Sequence, residues 1–530
     1  MRRRTMLAGT GSALATSALP RPSMAQGAAA RTLVFVPQGG LASLDPVWTT
    51  ATVTRNFAYL VYDTLYATDA QLRPQPQMAE GHRIEDDGRR WVIRLRDGLR
   101  FHDNAPVLSR DCAASLARWM KRDQLGSSIA DRLLAMETPD DRTLVIRLKR
   151  PFPPLAYALG KSQPSPAVIM PERLANTDPF KGVTEAMGSG PFRFVADEYV
   201  PGSRTVFARH EGYVPRPEAP SMIAGGKRAL VDRVEWRVIP EAATAAGALQ
   251  SGEVDWVEQP LPDLLPQLKS TPGVVVDRLD KWGLYPVLRF NCAIKPTDNK
   301  ALRQAMLAAI NPVEVMQAVM GDDASTYTAP LGAFLPDTPS TNDAAMDRVG
   351  GRKSDAELRA MIAASGYNGE KMVLMHPTDQ TFYDAMSLVA ASTLKRLGLN
   401  VDDAAMDFGT VVQRRASREP LDKGGWSMFC TSFPGLDYVD PLSAPALRGN
   451  GPKAWIGWPE DPAVETLRDQ WVDSTDDAER ARLCRGIQQA VFDYASFAPL
   501  GNYRQSTAWR SRLSGMLQAP LPVFWNVAKG

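Results

Sequence analysis

The sequence predicts an α/β protein of two lobes separated by a cleft, with an extra β-rich subdomain in the first lobe. Three observations carry this. Two segments in the first third, Arg90 to Arg96 and Arg142 to Lys149, are rich in β-branched residues and partly alternate apolar with charged positions, as half-exposed antiparallel strands do. The second half changes rhythm. Helical periodicity at 299–320, 354–365, 380–397 and 461–496 alternates with strand-like runs at 371–376 and 399–406, which implies βα units and some parallel pairing. The length, 530 residues, suffices for two or three packed domains.

Taken in order, the chain opens with Arg2, Arg3 and Arg4, a modestly apolar stretch from Met6 to Leu19, and the small-residue site Ser23-Met24-Ala25. This is the layout of a secretory signal peptide over residues 1–25, expected to be removed after Ala25. The apolar stretch is shorter than the roughly 20 residues a membrane span needs and is broken by Gly9, Gly11 and Ser12. Arg3-Arg4-Thr5-Met6-Leu7 resembles the twin-arginine export motif. No cysteine follows the apolar stretch, so a diffusing periplasmic protein is expected rather than a lipid-anchored one.

Residues 31–37 read as a buried first strand, with further strands at 203–209, 232–239 and 274–280. Ser109 is a plausible N-cap for a helix to about Arg122, with Ala113, Leu116, Ala117 and Met120 on one face. The alanine-rich stretch 241–251 is a helix closed by Gly252. Asp87-Gly88 and Asp97-Gly98 are tight-turn dipeptides, and the proline-rich stretches 151–166 and 214–220 read as loops.

Cleavage at Ala25 takes four arginines and no acid from 61 basic and 59 acidic residues, leaving a net charge of about −2. A nucleic-acid partner would demand a basic stripe, so none is expected. Cys112, Cys292, Cys430 and Cys484 permit three pairings and the spacing selects none; buried, unpaired thiols are the expectation. With only His82, His102, His210 and His376 besides, neither a metal centre nor another cofactor is expected.

Catalytic constellations are missing from the sequence. Gly160-Lys161-Ser162 resembles the end of a phosphate loop, but Leu155 stands where its first glycine belongs. Gly188-Ser-Gly190 continues into Pro191, which is no dinucleotide fingerprint, and there is neither a G-x-S-x-G elbow nor an H-E-x-x-H helix. Acid pairs such as Asp86-Asp87 and Asp402-Asp403 lack calcium-loop spacing. No enzyme activity is expected.

From residue 31 onward the chain resembles the family 5 bacterial extracytoplasmic solute-binding proteins, the dipeptide, oligopeptide and nickel type. The resemblance lies in Gln77-Met-Ala-Glu-Gly-His82, Glu85-Asp-Asp-Gly88, Leu95-Arg-Asp-Gly-Leu-Arg-Phe-His-Asp103, Gly188-Ser-Gly-Pro-Phe192, Ala248 to Asp255, and Arg289-Phe-Asn291 before Asn299 to Ala305. Asn104 stands where the family usually has glycine; asparagine tolerates a left-handed backbone, so the turn is expected to survive.

The resemblance implies the two-lobed periplasmic-binding-protein fold. Lobe I is then expected over 31–290 plus 500–530, with its subdomain at about 66–185, and lobe II over 291–499, the chain crossing near 288–293 and returning near 496–502. It also implies a monomeric receptor that closes on a peptide or peptide-like ligand and delivers it to the membrane permease subunits of an ABC importer. A nickel complex, haem or opine is an alternative solute, and a periplasmic peptide or amide hydrolase the alternative from another class.

In peptide-binding relatives the loop matched by Gly425-Trp426 and Asp437-Tyr-Val-Asp-Pro441 faces the ligand, and an acidic residue there commonly receives the peptide's ammonium. Asp437 is the counterpart by spacing, although Ser427 to Leu436 forms a longer insert. Aromatic residues near the same segments, Trp48, Trp282, Trp426, Phe433 and Tyr438, complete the candidate ligand-binding set, with about half of such residues expected in the core.

Overall fold

The computed structural model describes residues 31–163 and 165–530; the signal peptide expected at 1–25 lies outside them. Two seven-stranded mixed sheets organise the chain. In the first, Thr32–Val36 lies between Arg233–Arg237 and Trp256–Val257, parallel to both, and Thr507–Arg510 joins Trp256–Val257 to Val274–Asp277. The second centres on Leu284–Phe290 and Met428–Pro434, antiparallel and in register from Leu284 opposite Pro434 to Phe290 opposite Met428. Met372–Pro377 and Val401–Met406 extend it in parallel, the βα pairing that the rhythm of the second half implies.

A third, four-stranded antiparallel sheet, in the order Ala79–Glu85, Arg90–Leu95, Thr143–Leu148, Leu133–Asp140, is the β-rich subdomain. Its turns follow their residues. Asp86, Asp87 and Gly88 hold φ of 52°, 53° and 87°, and Asn104 holds φ of 69°, the left-handed backbone its side chain tolerates. Two buried ion pairs brace the first lobe, and that of Arg118 ties the subdomain's helix Ser109–Trp119 to Asp45. The Arg118 guanidinium reaches both Asp45 carboxylate oxygens at 3.0 and 2.7 Å, and the Lys227 ammonium lies 2.8 Å from Asp63. Removing one member of such a pair costs about 3–5 kcal/mol, because the other is left charged and unpartnered.

Sheet membership moves the crossings between the lobes. The chain passes from Asp277 in the first sheet to Leu284 in the second over residues 278–283, and returns over 504–506, from Tyr503 to Thr507. Leu284–Phe290 and Asn502–Tyr503, expected in lobe I, pair in the second sheet instead.

Local departures have local causes. The helix expected to start at a Ser109 cap instead has Leu108 at its cap. Ser109 is the first helical residue, its hydroxyl donates to the Asp140 carbonyl, and Asp111 accepts the Leu108 amide at 2.8 Å. The helical stretch 299–320 divides into Lys300–Ala309 and Pro312–Met320, with Asn311 capping the second and Pro312 at its first position. The stretch 461–496 divides likewise at Asp476, the cap of Asp477–Tyr494. The loop expected at 151–166 contains a short helix, Leu155–Gly160. Helix Ala242–Ser251 ends as expected on Gly252 in the left-handed conformation, φ 80°.

The first lobe's core is aromatic. Phe35 meets Trp256 and Phe524 edge-on at 5.0 Å each, geometry worth about 0.5–1.5 kcal/mol per pair beyond the buried area. All four cysteines are free thiols, three of them buried and Cys292 partly so. No helix among the described residues is long and apolar enough to cross a membrane.

Candidate ligand-binding cleft

A cavity of about 230 Å³ lies between the two large sheets where the chain crosses from one lobe to the other. Both lobes supply its walls from the carboxyl ends of their strands, the edge at which open α/β sheets place ligands. Gln38 and Glu258 follow the parallel strands Thr32–Val36 and Trp256–Val257, Gln380 and Tyr383 follow Met372–Pro377, and Pro434 ends Met428–Pro434. Asp280 and Gly283 contribute from the first crossing and Gln505 from the second.

The first lobe presents charge here. Arg55, on helix Thr52–Val61, is 4% exposed. Its Nε and Nη2 donate to Asn56 Oδ1 at 3.3 and 3.1 Å, and Nη2 also donates to the Pro520 carbonyl at 3.1 Å. Asn56 in turn donates to Glu258 at 3.0 Å, and the Gln38 amide donates to the other Glu258 oxygen at 2.7 Å. Burial pushes the Arg55 guanidinium down and the Glu258 carboxyl up, and their mutual attraction works against both shifts. Asp280 accepts the Trp282 and Gly283 amides at 2.9 and 3.1 Å, which closes the turn at the crossing; burial raises its carboxyl to about 6.

Behind the lining residue Pro434, the second lobe packs the turn Gly435–Tyr438 against the first crossing. The Gly435 amide donates to the Gly283 carbonyl at 2.7 Å, and a Cβ at Gly435 would lie 2.2 Å from the Trp282 carbonyl oxygen, so only glycine allows the approach. Asp437, next in the turn, is 5% exposed, and its Oδ1 is buried with no hydrogen-bond partner. Desolvation pushes its carboxyl up to about 7, while Lys161 and Arg55 across the cleft pull it down. The lobes also touch beside it, Gln163 Nε2 donating to the Leu436 carbonyl at 3.1 Å.

Residues 73–451, well over half of the chain, match the family model for bacterial extracellular solute-binding proteins, family 5, middle region. The chain belongs to this family. Over 524 residues it is 36% identical to a probable peptide ABC transporter periplasmic-binding protein of Sinorhizobium fredii, covering 98% of this chain and 97% of that one. Two solved structures share the fold across 94% of this chain. One, the periplasmic binding protein AgaA from Agrobacterium tumefaciens R10 in complex with agropinic acid, has TM-score 0.79 at 18% identity and is covered over 99% of its length. The other, the periplasmic binding protein DppA from Helicobacter pylori in complex with the peptide STSA, has TM-score 0.76 at 20% identity and is covered over 98%.

Within this solute-binding protein the residues singled out from sequence divide. Tyr438 stacks face to face on Tyr285, 3.9 Å between ring centres and 5° between planes, and Phe433 packs against Tyr438 and Trp455. They buttress the Asp437 turn from below. Trp282 sits on the first crossing, its carbonyl accepting Asn502 Nδ2 at 2.8 Å and its ring 4.7 Å from the Lys281 ammonium. None of the six residues lines the cavity itself: Asp437, Tyr438, Phe433 and Trp282 lie next to its lining residues Pro434 and Gly283, and the other two stand farther away. Trp426 is wholly buried within the second lobe against Phe429 and Trp458, beneath helix Phe408–Arg414. Trp48 is 44% exposed on the first lobe's surface beside Gly182.

Sequence reasoning passed over Arg55, Glu258, Asp280 and Tyr383. Arg55 left one signal, an arginine within Thr-Val-Thr-Arg-Asn-Phe-Ala-Tyr-Leu-Val, where the flanking positions are buried. A charge on a buried helix face needs a partner or a ligand.

Proposed function

We propose that the protein is the periplasmic substrate-binding component of an ABC importer and captures a peptide or peptide-like solute between its lobes. The observation that carries this reading is the cavity at the two crossings, lined by residues of both lobes and by the buried charges of Arg55, Glu258 and Asp280, with the buried Asp437 turn beginning just beyond its wall at Pro434. A buried carboxylate oxygen without a donor is costly, and a ligand ammonium supplies the donor and the charge together. Asp437 is the residue assigned to that ammonium, with Tyr438 and Phe433 holding its turn. The near full-length likeness to the probable peptide-binding protein of Sinorhizobium fredii supports a peptide ligand.

Binding and closure are then one process. A ligand that touches both walls prefers the closed arrangement and shifts the equilibrium toward it, presenting a surface that membrane permease subunits recognise. The protein acts as a monomer, exported by its leader and without catalytic turnover. Incubation with a mixed peptide library tests this: stoichiometric retention of intact peptides is expected, whereas steady hydrolysis at catalytic protein concentration would establish the hydrolase alternative.

A further inference from the structure

Two charges at the hinge end of the cavity are unassigned by the ammonium contact at Asp437. Arg55 is fixed on two sides by Asn56 and the Pro520 carbonyl, yet its Nη1 donates to no described residue, and no carboxylate among the described residues lies within salt-bridge distance of it. Asp280 spends Oδ1 on the Trp282 and Gly283 amides, and Oδ2 accepts no hydrogen bond from any described residue. Both side chains line the cavity. They attract one another electrostatically, but these anchors hold them apart.

Glu258, the other nearby carboxylate, accepts from the Gln38 amide, the Gln38 side chain and Asn56, so both of its oxygens already have donors within the first lobe, whereas Asp280 Oδ2 has none. Arg55 and Asp280 are therefore opposite charges held apart, with one unspent donor nitrogen, Nη1, and one unspent acceptor oxygen, Oδ2, at the same cavity. The remaining Nη1 of Arg55 can donate a charge-assisted hydrogen bond to a carboxylate oxygen, and a carboxylate accepts one from an ammonium or guanidinium. A ligand group that completes both carries an anion and a cation close together.

We infer that Arg55 and Asp280 select peptides whose last residue is basic, Arg55 receiving the terminal carboxylate and Asp280 the lysine or arginine side chain. This rests on the reading of the cleft as a peptide site with the ammonium end at Asp437. It adds a specificity that the ammonium contact does not supply. Asp280 also carries the turn of the first crossing, so a ligand cation on Oδ2 braces the hinge in its closed form.

Calorimetry with three tripeptides tests it: Ala-Ala-Lys, Ala-Ala-Ala, and Ala-Ala-Lys with an amidated C-terminus. All three carry the N-terminal ammonium. Ala-Ala-Lys is expected to bind at least about 10-fold more tightly than either of the others, the scale of one charge-assisted hydrogen bond. Asp280→Asn should abolish the preference for lysine over alanine at the last position, read as the ratio of the two affinities on the same variant. Arg55→Gln should abolish the preference for the free carboxylate over the amide. If that variant fails to fold, the amidated peptide on the native protein still reads the contact. Equal binding of the three peptides overturns the inference while the peptide reading stands. Absence of binding by all three overturns both.

Discussion

Arg132 of the subdomain and Asp473 of the second lobe form an ion pair across the mouth between the lobes, Nη1 lying 3.0 Å from the carboxylate, with the arginine side chain 3% and the aspartate 47% exposed. Arg150 approaches the same carboxylate at 3.4 Å. These contacts exist only while the lobes meet, so they bias the opening equilibrium. The half-exposed acid limits their worth to about 0.5–1 kcal/mol. Asp473→Asn should therefore weaken ligand affinity by about two- to fivefold in low salt, and by less at high ionic strength, where the pair is screened. Calorimetry at two salt concentrations measures both.

The Asp437 assignment makes its own demand. Asp437→Asn keeps size and an acceptor but removes the charge, so affinity for an amine-bearing ligand should fall by about 10- to 150-fold, the worth of a charge-assisted hydrogen bond of roughly 1.5–3 kcal/mol. Unchanged affinity, measured by calorimetry, would place the ammonium elsewhere.

Acidity separates the empty from the loaded protein. The Asp437 carboxyl stands at about 7 and the Asp280 carboxyl at about 6, both raised from the ordinary 3.8 by burial. Between pH 4 and 7 the folded protein thus binds more protons at these sites than the unfolded chain, and their contribution to stability falls as pH rises through that window. Ligand ammonium binding needs the Asp437 carboxylate ionised, so affinity should rise over the same range. Thermal unfolding of the empty protein and calorimetry from pH 5 to 8 should move in opposite directions, and Asp437→Asn should flatten the affinity trend and reduce the stability trend to the part due to Asp280.

Trp426, expected in the cleft, supplies a contrasting prediction. Its ring lies in a packed cluster with Phe429 and Trp458, away from the cavity. Trp426→Ala should cost about 3–5 kcal/mol of stability, by denaturant unfolding, with ligand affinity little altered in the folded fraction.

These residues show why some features were legible in the sequence and others were not. Turn dipeptides, the Gly252 helix stop and the βα rhythm of the second half are local signals, and the strands and helices they imply are present. The break before Pro312 was written in Asn311-Pro312, a cap followed by a first-position proline, but the continuous apolar periodicity masked it. The crossings were misplaced for a different reason. Leu284–Phe290 is an apolar strand that suits either sheet, and only pairing with Met428–Pro434, far along the chain, assigns it to the second. The motif led to the Asp437 turn, whereas an aromatic residue carries no mark distinguishing core from cleft, so Trp426 and Tyr438 read alike. Arg55 and Asp280 are brought to one cavity only by the fold.

The most direct test of capture in the cleft is native mass spectrometry of the protein released from the periplasm, followed by gentle denaturation to identify what leaves it. One solute per chain is expected, peptide-like and bearing a free amine, and the Asp437→Asn protein should emerge largely empty. A native protein that emerges empty, or one carrying a solute without an amine that Asp437→Asn retains equally well, would contradict the account.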